Sequence, residues 1–193
     1  MIIEKKSVPK EVFEKLEACC KCVSKEKNPK MLGYVKLHVE KGQKFLVATD
    51  GHCMSVYDVT DVKLFEFLSA TRCRVYKVEK VSRTKIMLED CTATCDGVFP
   101  NWKRVTPDMA DYSRIGFLSD SMNESKYSYL TYTLCTHKAM PVSYELFDKV
   151  GNVHGHAAVF AHKSDMSKPV VIEYGNNFKW FATPLRLNIG AQA

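Results

Sequence analysis

Residues 48–54 read Ala48-Thr49-Asp50-Gly51-His52-Cys53-Met54 and lie between two apolar runs, Phe-Leu-Val at 45–47 and Val-Tyr at 56–57. The β-branched and aromatic residues of these runs favour β-strands. Asp-Gly is a tight-turn signal, because glycine adopts a positive φ without a Cβ clash. The stretch therefore predicts a β-hairpin whose turn carries a histidine.

The chain around this hairpin predicts a helix followed by three antiparallel strands. Residues 7–25 repeat apolar side chains at steps of three and four, with Ser7 as the expected cap and Pro9 in the first turn. Residues 35–39 alternate apolar and polar side chains, as a half-buried strand does. The predicted class is therefore α+β with a mostly antiparallel sheet.

The same order of elements returns late in the chain. Ser143 precedes a short predicted helix at 144–150, and strands are predicted at 157–161, 169–174 and 178–183. The order of elements repeats although the letters do not.

The middle of the chain gives weaker patterns. Residues 75–78 and 85–88 predict another hairpin, and 92–94 predict a further strand, while 62–68 fit a helix or a strand. Residues 107–126 are rich in Asp, Ser, Asn and Gly, and we expect a linker or surface loop there. Residues 127–135 alternate as a strand does.

Composition narrows the class of protein. The 193 residues are 46% hydrophobic and 26% charged, as in ordinary globular proteins. No apolar run approaches the roughly 18 residues that a membrane-spanning helix needs, and the N-terminus lacks the apolar core of a signal peptide. We therefore expect a cytoplasmic protein with no membrane partner. The eight cysteines are expected to be free thiols, and the net charge of +6 is compatible with a polyanionic partner.

Two further segments carry a family resemblance. Residues 99–107 read FPNWKRVTP, and residues 182–187 read ATPLRL. With the hairpin turn, and in this order, they resemble the bacterial β sliding clamp, DNA polymerase III subunit beta, the ring that holds a replicative polymerase on DNA. The resemblance covers about two thirds of the chain. It implies a fold of repeated DNA-clamp-like modules, no enzymatic activity and no cofactor. The small size is typical of a version encoded by a phage or mobile element.

In that family the three segments meet around an apolar groove, which binds short peptides from polymerases and repair proteins. Apolar walls hold leucine or phenylalanine anchors, while a few polar groups fix the peptide backbone. The family generally has arginine after the turn histidine, where this chain has Cys53, so we expect a different set of peptides to bind. The matching positions here are Leu32, Thr49, Gly51, His52, Met54, Pro100, Arg104, Val105, Tyr144, Pro184, Leu185 and Arg186.

The resemblance also implies contact with duplex DNA. Clamps place basic side chains on helices that line the ring, where they contact phosphates without reading bases. The glutamates at 11, 14 and 17 favour a plain solvated face of mixed charge, and both interpretations stay open. The candidate contacts are Lys10, Lys15, Lys21, Lys25, Lys27 and Lys30.

The expected domain organisation is a module at 1–107, resembling the clamp's middle domain, and a shortened module at 108–193, resembling its last domain. One clamp-like domain with an insertion at about 60–120 is the alternative. A two-module chain would need three copies, joined head to tail, to close a six-module ring. The implied partners are duplex DNA, further copies of the chain in such a homo-oligomeric ring, and DNA polymerase or other replication proteins bound through short linear peptides.

Other functions compete with the clamp hypothesis. A non-ring adaptor would bind replication or transcription proteins through the same groove, and a DNA-binding regulator would reuse the fold. An enzyme is the last alternative, because Asp50, His52 and Cys53 share one turn, where a nucleophile and its base rarely meet.

The remaining motifs have simpler explanations. The cysteines at 19, 20 and 22 and at 91 and 95 lack the spacing of a zinc knuckle, and we interpret them as packed thiols. The histidines at 154, 156 and 162 have no acidic or cysteine cluster to complete a metal site. Trp102 could stack on a nucleic-acid base, but a buried anchor beside the groove is the preferred interpretation.

Overall fold

A computed structural model describes residues 1–26, 30–65, 73–94, 98–121 and 125–185 of the chain. Within these ranges ten strands form one sheet in the order β1-β6-β5-β2-β3-β4-β10-β9-β8-β7, and every neighbouring pair is antiparallel. The α+β class and the mostly antiparallel sheet are thus confirmed. The strands are β1 (Ile2–Glu4), β2 (Tyr34–Glu40), β3 (Gln43–Thr49), β4 (Cys53–Asp58), β5 (Arg74–Val81), β6 (Lys85–Asp90), β7 (Tyr112–Leu118), β8 (Ala157–His162), β9 (Val170–Tyr174) and β10 (Phe178–Ala182).

Four α-helices connect these strands: α1 (Lys10–Lys21), α2 (Trp102–Val105), α3 (Lys126–Thr136) and α4 (Tyr144–Asp148). The short helix α4 begins where predicted, because the Ser143 side chain accepts a hydrogen bond from the Leu146 amide. Ser7 does not cap α1. Its hydroxyl donates to the Glu4 carbonyl, and Pro9 occupies the capping position. Short 3₁₀ turns lie at Lys5–Ser7, Lys30–Gly33, Lys63–Phe65 and Met109–Asp111.

The predicted repeat of one helix and three strands is present. Helix α1 precedes β2, β3 and β4, and helix α4 precedes β8, β9 and β10. The two units meet where β4 pairs with β10, from Phe178 opposite Tyr57 to Ala182 opposite Cys53. This seam brings the predicted hairpin turn beside the end of β10. The division of the chain at residue 107 stays a prediction.

Both faces of the central strands are buried. On the first face, which we call the helix face, residues such as Leu46, Tyr57 and Trp180 share one core with α1, α3 and α4. On the opposite face, which we call the groove face, Met54 and Phe181 pack with Phe99 from the segment that leads to β7. Alternate residues of one strand therefore enter two cores, which is why these strands read as nearly continuous apolar runs.

Three predictions for the middle of the chain are wrong. Residues 127–135 are helical and belong to α3, and the expected loop at 107–126 contains strand β7. Residues 92–94 form a turn rather than a strand. At 62–68, the described part holds a 3₁₀ turn, and 66–68 lie outside the described residues.

Across the described ranges, none of the helices has both the length and the apolar character that crossing a bilayer requires.

Candidate functional site

The turn between β3 and β4 is fixed by its own side chains. One oxygen of Asp50 accepts hydrogen bonds from the amides of His52 and Cys53, both at 2.8 Å. The Thr49 hydroxyl donates to the Cys53 carbonyl at 2.7 Å and accepts from the Gly51 amide at 3.1 Å. Gly51 has a φ of +90°, which a residue with a Cβ rarely adopts. The local sequence thus presents His52 at a rigid bend.

A lysine from the other half of the chain holds this turn. The Lys149 ammonium pairs with the Asp50 carboxylate, and its Nζ lies 3.5 Å from the Cys53 sulfur. Burial opposes ionisation of Asp50, but the Lys149 ammonium and the two turn amides outweigh it and hold the Asp50 pKa below its ordinary value. The pair therefore ties the hairpin bend to the residue that follows α4.

An apolar groove with a cavity volume of about 230 Å³ lies beside the bend. Three separated segments supply most of its lining: the β3–β4 turn, Pro100 with α2, and the end of β10, while Leu32 and Pro169 complete it. The third segment is bonded to the first, because the amide and the hydroxyl of Thr183 both donate to the His52 carbonyl, at 2.9 and 3.0 Å. The lining residues are Leu32, Thr49, Gly51, His52, Cys53, Met54, Pro100, Trp102, Val105, Pro169, Phe181, Ala182 and Thr183.

The structure brings together seven of the residues proposed for the groove: Leu32, Thr49, Gly51, His52, Met54, Pro100 and Val105. Arg104 is exposed and does not line the groove, nor do Pro184 and Leu185. The Leu185 amide instead donates to the Pro141 carbonyl at 2.8 Å. Arg186 lies outside the described residues.

Tyr144, also proposed for the groove, lines a neighbouring cavity of about 510 Å³. His52 borders both cavities, so the two are neighbours at the hairpin bend. Most of the other residues that line the second cavity are polar or charged, among them Asp50 and Lys149. We call it the polar cavity.

The sequence did not predict several residues that line the groove, namely Cys53, Trp102, Pro169, Phe181, Ala182 and Thr183. Phe181 stands opposite Met54 in the sheet. Side chains alternate between the two faces along the predicted strand at 178–183, and this alternation could have placed Phe181 on the groove face. Trp102 is the anchor that the sequence favours: its ring lies 5.7 Å from the ring of His38 and 5.6 Å from that of Phe45. Its Nε1 is buried without a hydrogen-bond partner in the described structure.

The lysines proposed to contact DNA differ in their exposure and in their ion pairs. Lys15 is only 3% exposed, pairs with Glu11 and donates to the Asn177 side chain at 2.8 Å, so it is a buried structural residue and cannot reach a phosphate. Lys21 is partly exposed and pairs with Glu17 at 2.8 Å, while Lys10 pairs with Glu14. Lys25 is exposed. Lys27 and the Lys30 side chain lie outside the described residues.

The packed-thiol interpretation fits the cysteines of the first group, whereas Cys91 and Cys73 are only partly buried and Cys135 is exposed. Cys19, Cys20 and Cys22 are fully buried, and burial raises the pKa of Cys20 to about 12. A hydrogen bond with the Cys22 thiol, together with burial, raises the pKa of Cys53 as well. A nucleophilic cysteine needs a lowered pKa, so the turn is a poor catalytic site. Cys95 lies outside the described residues.

Two of the histidines considered for a metal site, His154 and His162, have separate partners. His154 pairs with Glu14 at 3.1 Å, whereas Nδ1 of His162 accepts from the amides of Ser164 and Asp165. Within the described ranges, no group of three or more His, Cys, Asp or Glu side chains is arranged to hold a metal ion.

Comparison with known proteins defines the class of fold. No protein-family model matches the chain, and no curated protein matches it either. Solved structures do match, and the fold is that of the bacterial DNA sliding clamps.

Three of these solved structures give the scale of the likeness. The DNA polymerase III beta subunit of Borrelia burgdorferi, solved with a natural product, superposes with a TM-score of 0.57 and 14% identity, over 97% of this chain and 63% of that one. Caulobacter crescentus pol III beta gives 0.53 and 15%, over 97% and 65%. The Pseudomonas aeruginosa clamp bound to griselimycin gives 0.52 and 14%, over 97% and 65%. This chain therefore spans slightly less than two thirds of the length of these clamps, and at such identities the likeness shows the fold.

Proposed function

We propose that this protein is a sliding-clamp-like accessory factor of DNA replication. It docks partner peptides in the apolar groove, contacts duplex DNA without reading bases, catalyses no reaction and works in the cytoplasm. The observation that carries the proposal is the convergence of the hairpin turn, Pro100 to Val105 and the end of β10 on one groove. The first two are segments that the family resemblance singles out, and of the third such segment, 182–187, Ala182 and Thr183 line the groove.

The groove has the chemistry that a short peptide needs. Met54, Trp102 and Phe181 offer apolar surface for a leucine or phenylalanine anchor. The hairpin bend beside them is already fixed by hydrogen bonds, so little ordering is needed on binding. The groove is small, which limits the anchor to one or two side chains.

Processivity would come from topology. A closed ring cannot leave duplex DNA sideways, so weak, salt-sensitive phosphate contacts suffice. In the described part of the chain, β1 and β7 are the end strands of the sheet and each pairs on one side only. Pairing of β1 from one copy with β7 of the next is the head-to-tail contact that ring closure requires.

A non-ring adaptor is the second candidate function. It is favoured by the state of α1, where Lys15 is buried and Lys10 and Lys21 are paired with glutamates. Light scattering coupled to size-exclusion chromatography separates the two candidates. A ring of two-module chains predicts a trimer, whereas the adaptor predicts a monomer or dimer.

A matched pair of valine variants tests the groove. Val105 lines it and is 61% exposed, while Val98 is 92% exposed and lies outside the lining. We expect Val105→Glu to weaken binding of a labelled Leu-Phe peptide about tenfold or more, because the carboxylate would lose water inside an apolar wall. Val98→Glu should leave the affinity unchanged. The free energy of unfolding of both variants should lie within about 0.5 kcal/mol of the wild-type value.

Fluorescence anisotropy gives the affinities, and urea unfolding gives the stabilities. If the wild type binds none of the anchor peptides, the peptide-docking proposal is rejected. If both variants bind like the wild type, peptides bind elsewhere on the molecule.

A further inference from the structure

The polar cavity beyond His52 carries an excess of acidic side chains. Lys149 and Asp50 neutralise each other across its floor. The remaining charged residues on its walls are Glu26, Glu145 and Asp148 against Lys25 alone. All four are exposed, and within the described ranges none of the three acids forms an ion pair with another side chain. The wall is therefore acidic, although the whole chain has a net charge of +6.

The acidic cavity lies beside the apolar groove, so one ligand could contact both. His52 borders both the polar cavity and the apolar groove, so a ligand in the groove that extends across His52 reaches the acidic side chains. Tyr144 is 59% exposed on the same wall and offers a flat surface along which an aliphatic stem can lie. The two cavities together therefore match one ligand with an apolar end and a cationic end.

We propose that the partner peptides of this protein combine an apolar anchor for the groove with a lysine or arginine for the polar cavity. This inference rests on the proposed peptide docking and specifies its partner. Charge complementarity selects the peptide: a cation is attracted by the two acids of α4, and an acidic residue at the same place is repelled. The sequence motifs did not predict this preference, because Glu145 and Asp148 belong to none of the three resembling segments.

A peptide series tests the preference. The probes are fluorescein-labelled Gly-X-Ser-Gly-Leu-Phe-Gly and its reversed order, with X as lysine, glutamine or glutamate, measured by anisotropy with the full chain. For the order that binds, we expect the lysine peptide to bind about three- to tenfold more tightly than the glutamine peptide, and the glutamate peptide more weakly still. The lysine preference should shrink as the salt concentration rises from about 20 mM to about 500 mM, because salt screens the attraction between exposed charges.

Variants assign the preference to the cavity. In Glu145→Gln with Asp148→Asn, the lysine and glutamine peptides should bind alike, while the affinity for the glutamine peptide stays that of the wild type. Glu89→Gln is the matched control: Glu89 is an exposed acid on β6, outside both cavities, and its loss should preserve the lysine preference. Glu145→Lys alone should likewise abolish the lysine preference, because it changes the charge of the cavity wall by as much as the double variant does.

The possible failures are distinguishable. Equal binding of the lysine and glutamine peptides at low salt overturns the inference and leaves peptide docking intact. A lysine preference that survives in the double variant overturns it as well, because the attraction then comes from another surface. Absence of binding for every peptide rejects the docking proposal itself, and this inference with it.

Discussion

The two faces of the central strands are equally buried but are covered by different structures. On the helix face, α1, α3 and α4 close a continuous core in which Leu16, Leu134 and Trp180 are fully buried. On the groove face, the covering segment at 98–111 has only one turn of α-helix and a 3₁₀ turn. A short irregular segment cannot cover a sheet without gaps, and the gap beside His52 is the groove. The comparison teaches that stability and binding are separated between the faces.

The largest effect should come from the helix face. Leu134→Ala removes a fully buried side chain from α3 and should lower the free energy of unfolding by about 2–5 kcal/mol. Tyr132→Ala on the same helix is the control, because Tyr132 is 69% exposed and its loss should cost less than about 0.5 kcal/mol. Under native conditions the peptide affinity of Leu134→Ala should equal that of the wild type.

Urea unfolding and anisotropy measure the two quantities. A loss of peptide affinity in Leu134→Ala under conditions where the protein is folded would show that the faces are coupled, and the comparison would break.

The sequence predicted the elements with strong local signals. The three-residue and four-residue spacing gave α1, the Asp-Gly turn gave β3 and β4, and the Ser143 cap gave α4. Each of these signals lies within one element or one turn, so the chain need not be folded to read it. The repeat in element order then followed, whereas the clamp-like class of fold was expected from the resemblance of residues 48–54, 99–107 and 182–187 to the clamp family.

The sequence failed at α3 and β7 because tertiary contacts decide both. Helix α3 is rich in Tyr and Thr, which favour strands, but Leu130 and Leu134 are buried in the core of the helix face. Strand β7 contains Gly116, where an added Cβ would lie 2.8 Å from the Thr133 methyl group, so the glycine permits α3 to approach the strand. Strand β7 is also an end strand, and its register against β8 shifts between Arg114 and Gly116. This irregularity interrupts the alternation of apolar and polar residues by which a strand is recognised.

The site was predictable to the extent that its turns were. The hairpin bend and the Pro100 segment could be recognised from their own letters. The contribution of Phe181 depended on its register against Met54, and Lys149 reaches Asp50 across 99 residues of sequence. Contacts of this kind are fixed only when the two halves of the sheet meet.

An intermediate effect is expected at the ion pair that joins the faces. Asp50→Asn keeps an acceptor for the turn amides but leaves the half-buried Lys149 unpaired, so stability should fall by about 1–3 kcal/mol at pH 7. The pKa of Asp50 is lowered in the folded state, so its contribution is complete above the ordinary value of about 3.9 and is lost as the pH falls through the folded value.

The stability of the wild type and that of Asp50→Asn should therefore differ at pH 7 and converge below about pH 4. Urea unfolding at pH 7 and in steps from about pH 4 down to about pH 2 measures the difference. A constant gap throughout would show that Asn fails for a reason other than the lost charge, such as a distorted turn.

The smallest effect separates Lys15 of α1 from Lys25, which follows that helix, and tests whether this part of the molecule contacts DNA at all. Lys25 is exposed, so Lys25→Ala should reduce the affinity for duplex DNA only about twofold and flatten the slope of log K against log salt by about 0.9, the loss of one phosphate contact. Lys15→Met should leave that slope unchanged, because the buried ammonium is committed to Glu11 and Asn177. Titrations of labelled duplex at several salt concentrations measure both slopes.

If Lys15→Met flattens the slope as much as Lys25→Ala does, the helix must move when DNA binds. If neither changes it, the DNA contact lies elsewhere, and the adaptor becomes the better account of the groove.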